Sequence, residues 1–342
     1  MGRPTIRDLA QAAGVSVATV NRVLAGSGTV REATLQRVIE AAQGIGFYGL
    51  GARQQRAAAV RARHHLGVLV QTPHRQFSQA LAGATEAAAA EFRDAELKLR
   101  FEHLDDLSPE AVAARLLALA EDCEAVGVVA AEHPIVTDAI DRLAARGVRV
   151  LALVSPLSAR VPVGFVGLDS WKVGRMSAWA FEHLCKAPGK LGILVGTHRY
   201  RCHDQNESGF RSYFREHAHE FVLLEPQSTF ESDAIAREVT EKLLRTHPDL
   251  KGLYVSGGGI GGALAALRGS GRAGQVVTVG YDLLEATRAG LLDGSLTLVI
   301  SHPFRAFGRE VVAALVRAKE AGPEGAAPTV SVPFEIVTRE NC

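Results

Sequence analysis

The chain has 342 residues, 47% hydrophobic and 22% charged, which is long enough for two or three domains and too apolar for a disordered polymer. Its net charge of +1 conceals an imbalance: residues 1–64 carry nine arginines and no lysine against three acids, net +6, while the remainder carries 29 basic and 34 acidic groups, net −5. Four cysteines (123, 185, 202 and 342) are too sparse for a disulfide scaffold, and neither an apolar leader nor a run of 18 apolar residues is visible, so a soluble cytoplasmic protein without a membrane partner is expected. A basic head on a mildly acidic body points to a polyanionic partner, because each neutralised phosphate releases condensed counterions.

In chain order, the first 45 residues predict three short helices. Thr5 caps the first, with Asp8 at capping-box spacing and Ile6, Leu9, Ala10 and Ala13 as its buried stripe; Gly14 ends it. Ser16 caps the second, whose inward positions are Val17, Val20 and Val23–Leu24. A third, from about Glu32 to Gln43, turns Leu35, Val38, Ile39 and Ala42 inward. The first two helices, joined by Ala13–Gly14–Val15, form a helix-turn-helix pattern. The first turn of the second helix then faces bases: Val17 and Ala18 suit thymine methyls, Arg22 a guanine edge, and Ser16, Thr19 and Asn21 phosphates or base edges, while Arg3, Thr5 and Arg7 anchor the flanking backbone. The competing reading is a small structural helical subdomain with solvent-facing arginines.

Residues 48–65 (YGLGARQQRAAAVRARHH) are polar and basic without a clear apolar face, and read as a linker. From Leu66 a βαβ alternation begins, with strands expected at 66–71, 97–101, 125–130, 148–154, 163–167, 190–195, 221–225, 251–256, 275–280 and 296–300, and helices between most of them. Residues 330–337 read as one terminal or edge strand because of Pro333. So many strands exceed an ordinary single sheet. The pattern therefore favours an α/β body of two lobes with a cleft, crossing over at the polar segment 155–162, with the strand at 296–300 and the helix after it returning to the first lobe. A single large α/β enzyme stays open.

The segment TIRDLAQAAGVSVATVNRVLAGSGTVREATLQRVIEAAQGIGF resembles the opening of the LacI/GalR family of bacterial transcription regulators, including Ala13–Gly14–Val15–Ser16, Thr19–Val20, Arg22–Val23–Leu24 and Thr34–Arg37–Val38. The resemblance implies a helix-turn-helix domain over 1–47, a hinge over 48–65 and a type I periplasmic-binding-protein-like effector domain over 66–342, with an N-lobe of about 66–160 and 294–322 and a C-lobe of about 161–293 and 323–342. It implies a homodimer, or a tetramer, on a pseudo-palindromic double-stranded DNA operator, with Val17, Ala18 and Arg22 setting specificity and repression as the default. Two departures stand out. Asn21 replaces the family's usual Ser, and Arg56 stands where the family carries a leucine that wedges into the minor groove. With Arg53 nearby, Arg56 is expected to add salt-dependent affinity rather than to unstack a base step, or else another residue such as Leu50 inserts.

Over the body the resemblance is looser. It implies a sugar- or polyol-like effector between the lobes, with Asp282 accepting from hydroxyls, Phe77 in the first β–α loop as a stacking platform and His302 as a polar pocket residue. Asp282, directly after a strand, reads as a pocket residue ahead of a helix cap, while Asp169 reads equally as an effector-binding residue or as the cap of the helix that follows it. Asn206 stands where the family commonly has an effector-gripping Arg, so Arg199 or Arg201 supplies the charge, the effector is neutral, or the pocket is remodelled. His198, Cys202 and His203 lack a chelating spacing and read as a polar loop, so no metal and no cofactor is expected. Gly257-x-Gly259-x-x-Gly262 after a strand, with Asp282 on a later one, also fits a dinucleotide fingerprint, which keeps a nicotinamide-dependent oxidoreductase as a rival to the non-enzymatic reading. A constitutive DNA-binding protein with a non-functional cleft is the remaining alternative.

Overall fold

The computed structural model describes residues 4–25, 30, 32–47, 62–322 and 325–342. The chain divides into two compact units, Met1–Arg63 with Asp94–Glu96, and His64–Arg93 with Leu97–Cys342. Leu50, Arg53 and Arg56, and with them most of the expected hinge, lie outside the described residues, as does Arg3.

The first unit holds α1 (Ile6–Ala13), α2 (Val17–Ala25) and α3 (Glu32–Gly44). Thr5 and Asp8 form a reciprocal capping box. The Asp8 N–H donates to Thr5 Oγ1 at 3.4 Å, while the Thr5 N–H and hydroxyl both donate to Asp8 Oδ2 at 2.7 Å. Gly14 ends α1 in the left-handed region, and its N–H and that of Val15 return to carbonyls of α1. Leu9, Ala10, Ala13, Val20, Val38 and Ala42 close a small apolar core, with Val15, Val23, Leu24, Ile39 and Phe47 packed around it. Ile6 and Val17, both expected to face inward, are exposed instead; each is the first residue of its helix.

The second unit contains two sheets. In the first, β1 (Arg63–Gln71), β2 (Glu96–Leu104), β3 (Ala125–Val128), β4 (Arg149–Leu153), β5 (Gly164–Gly167) and β12 (Thr329–Ser331) take the order β12-β5-β4-β3-β1-β2. In the second, β6 (Lys190–Val195), β7 (Val222–Leu223), β9 (Gly252–Ser256), β10 (Val277–Tyr281), β11 (Leu298–Ser301) and β13 (Glu335–Val337) take the order β13-β11-β10-β9-β6-β7, with β8 (Gln227–Ser228) pairing β6 beyond β7. Pairings in the second sheet are parallel except β11–β13. The central strands are buried along their apolar runs, with only the first residues of β1 and β6 reaching solvent.

The helices are α4 (Gln76–Glu91), α5 (Pro109–Leu119), α6 (Pro134–Ala145), α7 (Ser170–Leu184), α8 (Arg201–Glu216), α9 (Asp233–Thr246), α10 (Ile260–Gly269), α11 (Glu285–Asp293) and α12 (Phe304–Ala321). Pro109 and Pro134 open α5 and α6 at the position where a missing N–H costs nothing.

Lobe membership differs from expectation in three places. Residues 155–162 are not the first crossover: β5 still pairs with β4, and the chain changes lobe only at Leu168–Asp169. The strand at 296–300 does not return to the first lobe. Observed as β11, it pairs parallel with β10, and only α12 goes back, to pack on α4. The single terminal strand expected at 330–337 is two: β12 lies parallel to β5 in the first sheet and β13 antiparallel to β11 in the second. Pro333, which lacks an N–H for a ladder, sits between them. Three stretches, 168–169, 302–303 and 332–334, therefore link the lobes.

The α7–α8 pair shows how tightly the second lobe is built. A Cβ on Gly174 would lie 1.9 Å from the Asn206 carbonyl oxygen, and one on Gly209 would lie 2.1 Å from that of Trp171, so the two backbones touch directly. Gly209→Ala is expected to destabilise the chain by about 1–3 kcal/mol through overpacking. Urea unfolding followed by tryptophan fluorescence checks this through Trp171 and Trp179 on α7, and an unchanged midpoint would contradict it.

Candidate functional site

On α2, Val17, Ala18, Asn21 and Arg22 are exposed on one face, while Val20 is fully buried on the other. The hydroxyls of Ser16 and Thr19 are used locally: the Thr19 N–H donates to Ser16 Oγ at 3.1 Å, the two hydroxyls are 2.9 Å apart, and Arg22 Nη2 reaches Thr19 Oγ1 at 3.4 Å. The cap thus rigidifies the start of the helix and aligns Arg22 along it. Thr5 likewise spends its hydroxyl on Asp8. The Thr5 N–H and hydroxyl hold the Asp8 carboxyl below its ordinary range. A lowered folded-state value means that this cap contributes fully above the unfolded carboxyl pKa, and that its contribution is lost as pH falls through the folded value. A carboxyl chemical-shift titration is expected to place Asp8 below a free Asp, and Thr5→Ala to return it upward.

In the body, the carboxyl ends of strands from both sheets face a cavity of about 450 Å³, within the range of small-ligand sites. Gln71 ends β1, and Arg75, Gln76 and Phe77 follow it. Val129 and Val154 follow β3 and β4, Tyr200, Cys202, His203 and Asn206 follow β6, Gly257–Gly261 follow β9, Asp282 follows β10 and His302 follows β11. The position obeys the rule for open α/β sheets. Strand order reverses between β1 and β3 in one sheet and between β6 and β9 in the other, and the loops diverge there to leave a crevice.

Asp282 is 6% exposed and has φ +57, a left-handed conformation uncommon outside glycine. It does not cap the following helix, whose N-cap is Leu284. Its Oδ1 accepts from the His302 N–H at 2.9 Å and from His302 Nδ1 at 2.7 Å; a carboxylate only accepts, so Nδ1 carries the proton of this contact. His302, 3% exposed, is flanked edge-on by Phe77 and Phe307. Phe77 sits in the first turn of α4 rather than in a β–α loop, with Phe304 also edge-on to it. Asn206, 1% exposed, donates Nδ2 to Ser256 Oγ at 3.1 Å. Burial beside Asp282 pushes the Tyr281 phenol well above its ordinary range, so that it meets the cavity as a neutral hydroxyl.

Two expected effector residues lie elsewhere. Asp169 caps α7, accepting from the Lys172 N–H at 3.1 Å, and does not line the cavity. Arg199 is exposed and also outside it; only its carbonyl reaches the other lobe, accepting from the Glu132 N–H at 2.9 Å. Arg201 reaches Ser158 Oγ at 2.7 Å instead of the cavity. The guanidinium in the cavity belongs to Arg75, which pairs with Glu231 at 2.8 Å across the cleft. Gln76 and Glu285 make a second cross-lobe pair, with Gln76 donating to Glu285 Oε2 at 2.9 Å and accepting from its N–H at 3.1 Å. Gln71 also donates to the Tyr200 hydroxyl. Sequence reasoning missed Arg75, Gln76, Tyr200 and Glu231, although each falls just beyond an expected strand end.

The glycine loop is occupied. The Gly258 N–H donates to Glu231 Oε2 at 3.0 Å and the Gly262 N–H to Asp233 Oδ1 at 3.2 Å. Amides that a dinucleotide fingerprint would aim at a pyrophosphate are thus bonded to carboxylates, which repel it. The glycines serve close packing: a Cβ on Gly262 would lie 1.8 Å from the Asp233 carbonyl. Among the described residues no group of three or more His, Cys, Asp and Glu is placed to hold a metal ion, and none of their helices is long and apolar enough to cross a membrane.

Comparison with known proteins matches residues 66–323 to the periplasmic binding protein domain family and residues 5–49 to the bacterial regulatory proteins of the lacI family. The chain belongs to the LacI/GalR family. Its relatives include the maltose regulon regulatory protein MalI of Escherichia coli, 40% identical over 92 residues, which are 26% of each chain. They also include a D-ribose/D-allose-binding protein of Pseudomonas aeruginosa, 30% identical over 184 residues, 52% of this chain and 56% of that one. The matches thus span about half the length of one curated relative and a quarter of the other. The fold of the LacI/GalR body is that of an ABC transporter solute-binding protein from Burkholderia graminis in complex with D-arabinose, with a TM-score of 0.74 at 19% identity over 82% of this chain and 97% of that one.

Proposed function

We propose that this protein is a sequence-specific DNA-binding transcription regulator, a repressor, whose operator affinity is set by a small uncharged polyhydroxylated effector in the interlobe cavity. The observation that carries the reading is the presence in one chain of an exposed α2 face of Val17, Ala18, Asn21 and Arg22 and a polar, aromatic-walled cavity at the strand ends of a two-lobed body. The family supplies the context for the first. For the second, the relatives named for ribose, allose and arabinose supply the ligand class.

In this reading two copies pair and present two heads to half-sites of a pseudo-palindrome. Ligand hydroxyls engage Asp282 and Asn206 while a sugar face lies against Phe77. Asp282 is bonded to His302, in one of the three linking stretches, so a ligand on Asp282 acts directly on a segment through which the lobes move. The coupling is reciprocal: an effector that weakens operator binding is itself bound more weakly by the operator complex.

Arg22→Ala is expected to weaken binding to a duplex selected from a random library by about 1–3 kcal/mol, roughly 5- to 150-fold, while affinity for a random duplex changes far less. Fluorescence anisotropy at physiological salt measures both; equal losses on both duplexes would assign Arg22 to phosphate alone. Asp282→Asn is expected to weaken D-ribose or D-allose binding at least tenfold, at about 1.4 kcal/mol per decade. Calorimetric titration of D-ribose, D-allose, D-arabinose and myo-inositol tests the effector class, and the absence of saturable binding for all four would remove it.

A further inference from the structure

The cavity contains a donor set suited to an anion, and the chain fills it with its own carboxylate. Arg75 Nη1 donates to Glu231 Oε2 at 2.8 Å, Nη2 donates to the Glu231 carbonyl at 2.8 Å, and the Gly258 N–H converges on the same Oε2 at 3.0 Å. A guanidinium and a loop amide meeting at one oxygen is how proteins hold phosphates and carboxylates.

The surroundings are shaped around this side chain. A Cβ on Gly196 would lie 1.7 Å from Glu231 Oε1, and one on Gly258 would lie 2.2 Å from Oε2, so both glycines leave the room it occupies. Phe230 and Glu231 have φ of +50 and +64, two consecutive left-handed residues that are not glycine and that carry the carboxylate inward. The Glu231 side chain is 11% exposed, and its Oε1 is buried without a hydrogen-bond partner among the described residues, so it retains an acceptor for a hydroxyl.

The charge balance points the same way. Asp233 and Asp282 line the same cavity, and Arg75 is the single Lys or Arg among its described lining residues. His203 Nδ1 lies 3.8 Å from Glu231, but burial pushes this imidazole below its ordinary range, which keeps it from acting as a second cation near neutral pH. With Glu231 in place, an incoming anion meets a guanidinium already neutralised and further carboxylates beyond it.

We infer that Glu231 is a specificity-determining residue, which masks the Arg75–Gly258 anion site, excludes sugar phosphates and sugar acids, and restricts the cavity to uncharged polyols. The inference deepens the effector reading and rests on it for the ligand class, but the masked anion site is testable without any sugar.

The probe is inorganic phosphate, titrated at constant ionic strength into the full chain and into Glu231→Gly, Glu231→Gln and Arg75→Ala/Glu231→Gly. Glycine suits the backbone at 231, and Gln keeps the size while removing the charge. Saturable phosphate binding at least tenfold tighter than in the parent chain is expected in Glu231→Gly, with a smaller gain in Glu231→Gln and none in the double variant. In the same two single variants the affinity of D-ribose 5-phosphate relative to D-ribose should rise at least tenfold. The inference is overturned if neither single variant gains phosphate affinity over the parent, or if the gain survives Arg75→Ala. Should the parent bind none of the neutral sugars while the phosphate gain appears and vanishes as stated, the effector reading fails and the masked anion site stands.

Discussion

The contact on which the body most depends is between the Asp282 carboxylate and both nitrogens that His302 offers it, the backbone N–H and ring Nδ1. A carboxyl group buried to this depth is costly unless donors reach it, and removing one partner leaves that cost uncompensated. The contact ties the end of β10 to the stretch that leaves the second lobe for α12. Structural support and ligand access thus meet in one pair: the same carboxylate lines the cavity and anchors a linking segment. The left-handed backbone at Asp282 is held by bonds around it, since its N–H donates to the Ile300 carbonyl and its own carbonyl accepts from the Thr287 hydroxyl.

The remaining cavity polarity is arranged across the cleft. Arg75 and Gln76 come from the first lobe, Glu231 and Glu285 from the second, and the two pairs they form bring the lobes together. The partly buried Arg75–Glu231 ion pair gains little net stability, because desolvation offsets most of the attraction, and the Gln76–Glu285 hydrogen bond is exposed to water. They are well suited to an equilibrium that a ligand has to bias. The glycine loop belongs to the same arrangement. Its amides receive Glu231 and Asp233, so a sequence pattern that suggests nucleotide binding here builds the junction between the β9 end and the start of α9.

The head was legible almost residue by residue because its determinants are local. A capping box spans three residues, a left-handed glycine ends a helix, and a buried stripe recurs at helical spacing. Ile6 and Val17 are the exceptions: apolar residues assigned to the core from their type are exposed, and only the packing of Leu9, Val20 and Val38 fixed which face was inside. In the body, strands and helices were legible from continuous apolar runs and their alternation. The assignment of β5, β11 and the divided terminal strand to sheets was not, since strand pairing is a non-local choice that run length and hydrophobicity do not encode.

Sequence by itself determined the two-part organisation, the recognition helix and its caps, the α/β character of the body, and the presence of Asp282, Asn206, Phe77 and His302 near strand ends. Tertiary structure alone decided that Asp169 and Arg199 stay outside the cavity, that Arg75 supplies its guanidinium, and that Glu231, 156 residues further along the chain, neutralises it. The physical reason is range. Helix caps and apolar periods act over a few residues, whereas a cavity is made where loops from distant strands converge, and its charge balance exists only after both sheets have formed.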